Sequence, residues 1–411
     1  FKQKTAYEIG VRLVGSEMCI RDSMNRIEKT ILAITGGSHL SVHALMLALP
    51  SLIPILMNEF DIGLDILGLV VTISAFMFGF GAIPSGWMES KLGGKTLLLL
   101  YLFGSSFSAF LVSISNSFYL LVFSLGLLGL SSSIYHPAGL TLISNRVHLI
   151  TKGMAVHGIF GSTGSAIGPV LATTLAFFIS WRASYATLAF FNLALGIATI
   201  FLIPSREKDI DNTLINNDRD INETNRIALI FFYITNMIMG FTYYGFTTFM
   251  PIHFAENTKE FLPFIPDTMK AGIFPSFVFL SGIIGQIIGG KLGTRFNRIA
   301  ILPYIIAANI PFLILMGYAE GVLLIFCSLG LGMAHFSNQP ISNTIIAELT
   351  HSNNRGIGYG INFFLSMGIG SLAAMIGGVI ATNYDTTIVF ISLGFLLIPA
   401  ILTSYILILK T

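Results

Sequence analysis

The chain has 411 residues, of which 54% are hydrophobic and only 10% are charged, and its formal net charge is +2. Because a soluble globular protein carries roughly 25% charged residues, this composition excludes a soluble enzyme, a nucleic-acid-binding protein and a disordered scaffold. Most of the exterior must face lipid, and a charge near neutrality predicts no nucleic-acid partner. Only Cys19 and Cys327 are available for cross-linking, so no disulfide framework is expected.

The first 23 residues do not read as a secretory signal. They contain neither a continuous apolar segment nor a small-residue cleavage site, which a signal peptide requires. Met24 is the expected start of the native sequence, and residues 1–23 are predicted to be a non-native or artefactual leader.

Twelve apolar stretches follow Met24, each of about 20 residues or more and long enough to cross a ~30 Å hydrocarbon core as a helix. They lack the alternating ten-residue pattern of barrel strands, so we predict an all-α integral membrane protein with twelve transmembrane helices. The predicted spans are residues 30–57, 63–88, 95–115, 117–144, 151–178, 181–203, 226–254, 269–291, 299–318, 321–348, 355–381 and 386–409.

The basic residues predict the orientation of these spans. With a cytoplasmic N-terminus, all Lys and Arg after Met24 fall in cytoplasmic segments except Arg182, Lys259 and Lys270. Such asymmetry sets the orientation of spans in the bilayer. We therefore expect both termini to be cytoplasmic, in a plasma (inner) membrane.

A polar segment, residues 204–225, divides the chain into six-helix halves, 24–203 and 226–411, and is predicted to be a cytoplasmic linker. The halves share features at a constant separation of 203 residues. The equivalent pairs are Lys152-Gly153 and Arg355-Gly356, Pro137 and Pro340, and Gly129 and Gly332. The repetition indicates two pseudo-symmetric six-helix bundles, as in transporters whose halves move around a central site.

The loop after span two contains Gly86, Lys91, Gly93 and Lys95, with Ser90 at an expected Asp position and Glu89 beside it. The loop after span eight has Gly290, Leu292, Arg295 and Arg298 at equivalent places. These loops resemble the loop signature of the major facilitator superfamily. The resemblance implies twelve helices, alternating access and a gating role for residues in these and neighbouring loops, namely Gly86, Glu89, Lys91, Gly93, Lys95, Lys152, Arg295, Arg298 and Arg355.

The stretch from Gly129 to Pro169 resembles the fosmidomycin-resistance group of exporters within that superfamily. It contains Tyr135-His136-Pro137 in span four and a glycine-rich span five. Ala138 and His43 stand where that group commonly has acids. Small residues spaced by three or four allow close helix contact, so Gly161, Gly164, Gly168 and Pro169 are predicted to serve helix packing.

Histidines are the main ionisable groups in the middle of the predicted spans: His39, His43, His136, His157 and His335. Ionisable groups at membrane depth are costly, so they indicate function. Because histidine titrates near neutral pH, we predict that His136, His39 and His43 take part in proton coupling. His39 and His43 share a helix face but lack the Glu of a zinc-protease motif, so neither a metal site nor a catalytic residue is expected.

Pro137 and Pro340 are predicted to interrupt spans four and ten at equivalent positions, because proline removes one helical hydrogen bond. Paired interruptions indicate a substrate site near the bilayer midplane. The residues predicted to line that cavity are His39, His43, Tyr135, His136, Asn236, Tyr243, Tyr244, Asn338 and Gln339.

The sequence thus predicts a secondary active transporter that exports a small organic or amphipathic compound in exchange for protons, by alternating access. No phosphate-binding loop is present, so neither direct ATP use nor any cofactor is expected. A proton-coupled importer or facilitative carrier of a small metabolite is the alternative; a membrane-embedded enzyme or a channel is disfavoured. The expected partners are a small-molecule substrate, protons and the lipid bilayer, with no nucleic acid, for a monomeric protein.

Overall fold

The computed structural model describes residues 24–204, 225–350 and 355–411. The predicted leader and nearly all of the predicted linker lie outside these residues. Within them the chain is helical, and twelve helices are long and apolar enough to cross a membrane. They run over Arg26–Phe60, Leu64–Glu89, Lys91–Ser113, Phe118–Arg146, Lys152–Phe178, Trp181–Leu202, Arg226–Asn257, Asp267–Arg295, Arg298–Tyr318, Gly321–Leu349, Ile357–Asn383 and Thr386–Lys410. We number them spans one to twelve; every predicted boundary lies within about four residues of the observed one.

Polar side chains fix where several spans begin. At span one, the Asn25 side chain accepts from the Glu28 backbone N–H, and the Glu28 carboxylate accepts from the Asn25 N–H. Asp385 caps span twelve by accepting from the Ile388 N–H at 3.0 Å. These caps satisfy N–H groups that a helix cannot pair internally, so the boundaries are encoded locally.

The connection between spans two and three depends on a glycine. Gly93 has φ 75° and ψ 156°, a backbone conformation that residues with a Cβ rarely adopt. The chain reverses there without a longer loop, so this glycine of the resembled loop signature has a clear conformational role.

Interruptions of the helices follow a different pattern from the predicted one. In span four one helix ends at Ser132 and another begins at Tyr135, which places Pro137 in the first turn of the second helix, where proline is tolerated. The predicted interruption at Pro340 is wrong, because the helix runs unbroken over Gly321–Leu349. Span eleven instead contains a π-helical segment, Phe364–Ile369.

Span ten is packed tightly against span eight on the turns before Pro340. A Cβ placed on Gly285 or Gly289 of span eight would lie 2.2 Å from the Met333 carbonyl oxygen or 2.0 Å from the Ser337 carbonyl oxygen. Span eight thus packs directly against the backbone of span ten just before the proline. In the first half Ser85 occupies the position equivalent to Gly289.

The two halves are pseudo-symmetric in detail. A Cβ on Gly129 of span four would lie 2.0 Å from the Ser74 carbonyl oxygen of span two. A Cβ on Gly332 of span ten would lie 2.5 Å from the Val278 carbonyl oxygen of span eight. Each glycine therefore lets two backbones of its own half approach closely, as the repeated sequence feature indicated. The predicted fold class is confirmed.

The ends of the spans define two faces of the molecule. Glu28, His148 and Pro204 lie together through hydrogen bonds from the His148 N–H to Glu28 and from Arg146 to the Pro204 carbonyl. In the second half Asn225 donates to the Lys410 carbonyl. We call the side containing these residues the termini face, and the other side the opposite face.

The halves are in contact toward the opposite face. The Asp65 N–H donates to Thr382 Oγ1 at 3.1 Å, and Thr72 Oγ1 donates to the Ser371 carbonyl at 2.8 Å. A Cβ on Gly68 would lie 2.2 Å from the Ala374 carbonyl oxygen. These contacts join span two to span eleven in the part of each span that lies nearer the opposite face.

Toward the termini face, four glycines of the spans that join the halves have no neighbour at the Cβ position. A Cβ on Gly86, Gly158, Gly290 or Gly360 would meet no atom within 4 Å. These glycines belong to spans two, five, eight and eleven, which carry the contacts between the halves. These four positions therefore have room for a methyl group, unlike Gly68 toward the opposite face.

Candidate functional site

Four histidines of the first half form one cluster of rings. His39 stacks on His157 with a centroid distance of 3.8 Å and contacts His43 at 4.8 Å and His136 at 5.3 Å. Tyr135 stacks on His39 at 5.3 Å. The cluster joins spans one, four and five near the middle of span one, so the structure brings together the predicted residues His39, His43, Tyr135 and His136.

Helix packing holds this cluster in place. A Cβ on Gly164 or Gly168 would collide with the backbone of Leu40 or Ala44, at 2.2 and 2.7 Å. A Cβ on Gly161 would lie 2.3 Å from the His39 ring. The predicted glycine positions of span five thus face span one, and their small size allows the His39 ring to fit between the helices.

Hydrogen bonds orient the rings. His39 Nδ1 lies 2.7 Å from the His157 carbonyl oxygen, and His39 Nε2 lies 3.1 Å from His43 Nε2. The Tyr135 hydroxyl donates to the Thr35 carbonyl at 2.5 Å and is 3.3 Å from His157 Nδ1. His39 is only 7% exposed, whereas His43 and His136 are half-buried.

His136 links the cluster to the other half of the molecule. Its ring stacks on Phe363 of span eleven with a centroid distance of 5.3 Å and an interplanar angle of 26°. Its remaining ring contacts include Phe78 at 6.0 Å and Tyr135 at 5.4 Å. The imidazole therefore lies among aromatic rings at the boundary between spans four and eleven.

The cluster is also compact enough to be considered as a metal site. One nitrogen from each of His39, His43 and His136 lies within 4.8 Å of the others. Tetrahedral zinc with Zn–N bonds of about 2.0–2.1 Å requires nitrogens about 3.3 Å apart, so the rings would have to move closer. Imidazoles are the sole ligands of this group among the described residues, which leaves an incoming divalent charge without an anionic ligand.

The second half contributes a wall of aromatic rings. His335 stacks on Tyr243 at 5.8 Å and contacts Phe246 at 5.0 Å and Phe336 at 5.7 Å. Tyr244 contacts Tyr243 at 5.4 Å. This wall is mostly apolar, and aromatic surfaces suit amphipathic organic ligands.

Amides add polar groups to the second half. Gln286 Nε2 donates to Gln339 Oε1 at 3.0 Å and reaches Ser162 Oγ of span five at 3.4 Å. Asn338 accepts from Ser342 at 3.1 Å. The Asn236 amide nitrogen is buried and has no hydrogen-bond partner among the described residues. The nine predicted cavity residues thus divide between a histidine cluster and an aromatic and amide wall.

The predicted gating residues contact their own half. Lys95 donates to the Ile203 carbonyl at the end of span six at 2.5 Å, and Arg298 pairs with Glu348. The Lys91 ammonium lies 3.9 Å from the centre of the Trp87 ring, and Lys152 is exposed. Their gating role remains a prediction.

A family model described as Major Facilitator Superfamily matches residues 35–375. The chain belongs to this superfamily. It is 23% identical to the fosmidomycin resistance protein of Escherichia coli (strain K12) over 401 residues, covering 91% of this chain and 92% of that protein. It is also 23% identical to an uncharacterized transporter of Buchnera aphidicola subsp. Schizaphis graminum over 336 residues, covering 80% and 78%. The predicted family resemblance is confirmed.

Solved structures agree with the fold. A bacterial homologue of the human lysosomal transporter Spinster, in an inward-facing and occupied conformation, superimposes with a TM-score of 0.79. The match covers 95% of this chain and 98% of that one at 11% identity. The protein is therefore an integral membrane protein of the major facilitator superfamily, whose members carry small molecules across membranes.

Three polar residues of this transporter were not among the predicted cavity residues. His157 supplies the carbonyl that orients His39, and Gln286 reaches toward the first half. His253 is fully buried in the second half, where its Nε2 donates to the Met316 carbonyl at 2.8 Å and its Nδ1 accepts from Thr386 at 2.7 Å. Gln286 is a lone amide in an apolar run, a signal that could have identified it.

Proposed function

We propose that this transporter exports a small organic or amphipathic compound in exchange for protons, by alternating access between its two halves. The observation that carries this proposal is the cluster of His39, His43 and His136. Together with His157, these are titratable side chains packed at the middle of the first half, and among the described residues no Asp, Glu, Lys or Arg lies at that depth. Histidine takes up and releases protons near neutral pH, so this cluster carries the coupling proton.

The second half supports the substrate part of the proposal. Tyr243, Phe246, His335 and Phe336 form a soft aromatic wall, and the unpaired Asn236 amide offers a directional donor. Such a surface suits a compound with an apolar body and a polar group. His136 of the first half has Gln339 as its second-half counterpart, so within this pair only the first-half residue can carry a proton.

The proposed direction of transport depends on which face of the protein is cytoplasmic. We propose that the termini face is cytoplasmic and the membrane is the plasma membrane, because the basic loops near Lys91, Lys152 and Arg295 are on that face and positive loops remain cytoplasmic. An impermeant thiol reagent applied to intact cells should label a single cysteine at the exposed residue 260 and leave one at the exposed residue 92 protected. The reverse pattern would contradict the orientation and, with it, export.

The test of coupling begins with a compound-sensitivity screen of expressing cells that includes fosmidomycin, since a relative is named for resistance to it. Transport of a radiolabelled hit is then measured in proteoliposomes with and without a pH gradient. A variant in which His39, His43 and His136 are all changed to Gln should keep exchange of substrate and lose gradient-driven accumulation. His253→Gln, in the other half and outside both the cluster and the aromatic wall, is the matched control and should keep accumulation.

Proton-coupled import or facilitated diffusion is the second candidate, favoured by the same fold. If wild-type protein equilibrates the compound without responding to the gradient, it is a facilitative carrier. If the gradient drives the compound in the direction of proton entry, the protein is an importer, and the proposal of export is refuted.

A further inference from the structure

The hydrogen bonds of the cluster assign the protonation of each ring nitrogen of His39. Its Nδ1 lies 2.7 Å from the His157 carbonyl oxygen. A carbonyl oxygen can only accept a hydrogen bond, so Nδ1 must carry the hydrogen. A neutral imidazole has one N–H, and therefore His39 Nε2 has a free lone pair and acts as an acceptor.

The same logic extends to His43. Its Nε2 lies 3.1 Å from His39 Nε2, and because that atom accepts, His43 Nε2 must donate. The lone pair of His43 is then on Nδ1, which forms no hydrogen bond within the described part of the chain. His43 is half-buried, whereas His39 is enclosed, so the free lone pair belongs to the more accessible ring.

We infer that Nδ1 of His43 is the atom that accepts the coupling proton, and that His39 is a positioning residue that holds His43 by accepting its Nε2–H. This inference rests on the proposed function and specifies its proton site. When a proton adds to Nδ1, His43 becomes an imidazolium whose Nε2–H continues to donate to the neutral His39. A hydrogen bond from a charged donor is stronger than one from a neutral donor. The bond from His43 to His39 therefore stabilises the imidazolium of His43 without changing the tautomer of His39.

The surroundings limit the cluster to one added proton. Span four brings Tyr135 and His136 to the pair, span five brings His157, and span three brings Tyr101. Span seven contributes Tyr243 and Tyr244 to an apolar cluster that also includes Met46 of span one. None of these groups is an anion at neutral pH, and the described spans contain neither a carboxylate nor an ammonium at this depth. Two imidazolium rings only about 4–6 Å apart would repel each other strongly, so we expect a single proton to be held at a time.

Substitution of Gly161 offers a specific way to disturb the hydrogen bonds of His39. A Cβ at this position would lie 2.3 Å from Cε1, 2.7 Å from Nδ1 and 2.8 Å from Nε2 of His39. Gly161→Ala must therefore displace the ring from the His157 carbonyl. Gly158, three residues earlier on the same helix, has no atom within 4 Å of such a Cβ, so Gly158→Ala is a matched control.

Nitrogen NMR of the full-length protein in lipid nanodiscs, with ¹⁵N-labelled histidine, tests the assignment without any substrate. Single His→Gln variants identify the signals. Wild type should show His39 as the Nδ1–H tautomer from pH 8 to pH 5.5, and His43 as the Nε2–H tautomer that gains a second proton on acidification. Gly161→Ala should mix the tautomers of His39, and Gly158→Ala should match wild type.

Two results would overturn the inference. One is a wild-type spectrum in which His43 carries its hydrogen on Nδ1 at pH 8, or in which His39 gains a proton before His43. The other is a Gly161→Ala spectrum identical to that of wild type. Because the wild-type spectrum alone is decisive, a variant that fails to fold leaves the test intact.

Transport measurements distinguish whether His39 positions His43 or itself takes up the proton. A glutamine at 39 retains one donor and one acceptor, so His39→Gln should keep gradient-driven accumulation within about threefold, whereas His39→Leu should lose it at least tenfold. His43→Gln should also lose it while keeping exchange. If His39→Gln behaves like His43→Gln, then His39 itself titrates and the inference is wrong. If wild type ignores the gradient, the proposed function fails, whatever the NMR result.

Discussion

Replacement of Gly68 by alanine should weaken the contact that closes the opposite face. The new Cβ would lie 2.2 Å from the carbonyl oxygen and 3.0 Å from the carbonyl carbon of Ala374, and 3.3 Å from Cα of Gly378. All three are backbone atoms of span eleven and cannot rotate away. Spans two and eleven therefore have to separate by about 1 Å to reach ordinary van der Waals distance.

The size of the effect follows from the cost of overpacking. Adding a methyl group to a tightly packed contact typically costs about 1–3 kcal/mol. This cost is paid only in the conformation in which the opposite face is closed. The ratio of closed to open molecules should therefore fall by about 5- to 150-fold, and the variant should favour the conformation open at the opposite face.

Distances between paired spin labels provide the assay. In a cysteine-free background, one pair at Asn58 and Tyr384 reports on the opposite face and a second pair at Leu92 and Ile357 on the termini face. Gly68→Ala should lengthen the first distance and shorten the second. Gly86→Ala on the same span adds the same methyl group in open space, so it controls for the higher helix propensity of alanine. Identical distance distributions in wild type and both variants would refute the reasoning.

Two further predictions concern stability. His253→Phe should lower the free energy of unfolding by about 2–3 kcal/mol, because the buried ring forms hydrogen bonds with Thr386 and the Met316 carbonyl. Thermal unfolding in detergent, followed by circular dichroism, measures this loss. An unchanged midpoint would contradict the prediction. Lys95→Met should cost only about 1 kcal/mol, because its bond to the Ile203 carbonyl is partly exposed. The label distances should remain those of wild type, and altered distances would instead support gating by Lys95.

The fold was predictable because its determinants are local. Membrane spans are set by the length of each apolar run, and caps such as Asn25 and Asp385 lie in the sequence next to the helices they begin. Pro340 shows the limit of this reasoning. A proline removes one donor, but this loss alone does not decide whether a helix ends, and here the helix continues through Pro340 to Leu349.

The site was predictable in part for the same reason. Imidazoles in apolar spans are costly, so His39, His43 and His136 could be selected from the sequence. The His157 carbonyl that orients His39 could not be found that way. Every residue has a carbonyl, and the one that meets a given ring depends on how two helices are rotated and spaced, which only the packed structure defines.

The position of His136 provides a physical link between a proton in the first half and the conformation of the second. A bound proton can bias alternating access only if it interacts differently with the two conformations. The His136 ring lies on the face of Phe363, a contact between spans four and eleven that changes when the halves separate. If the proton passes from His43 to this adjacent ring during the transport cycle, attraction between imidazolium and aromatic face contributes about 0.5–2 kcal/mol. That energy corresponds to a population ratio of roughly 2- to 30-fold, which is enough to bias a carrier whose two conformations are nearly equal in free energy.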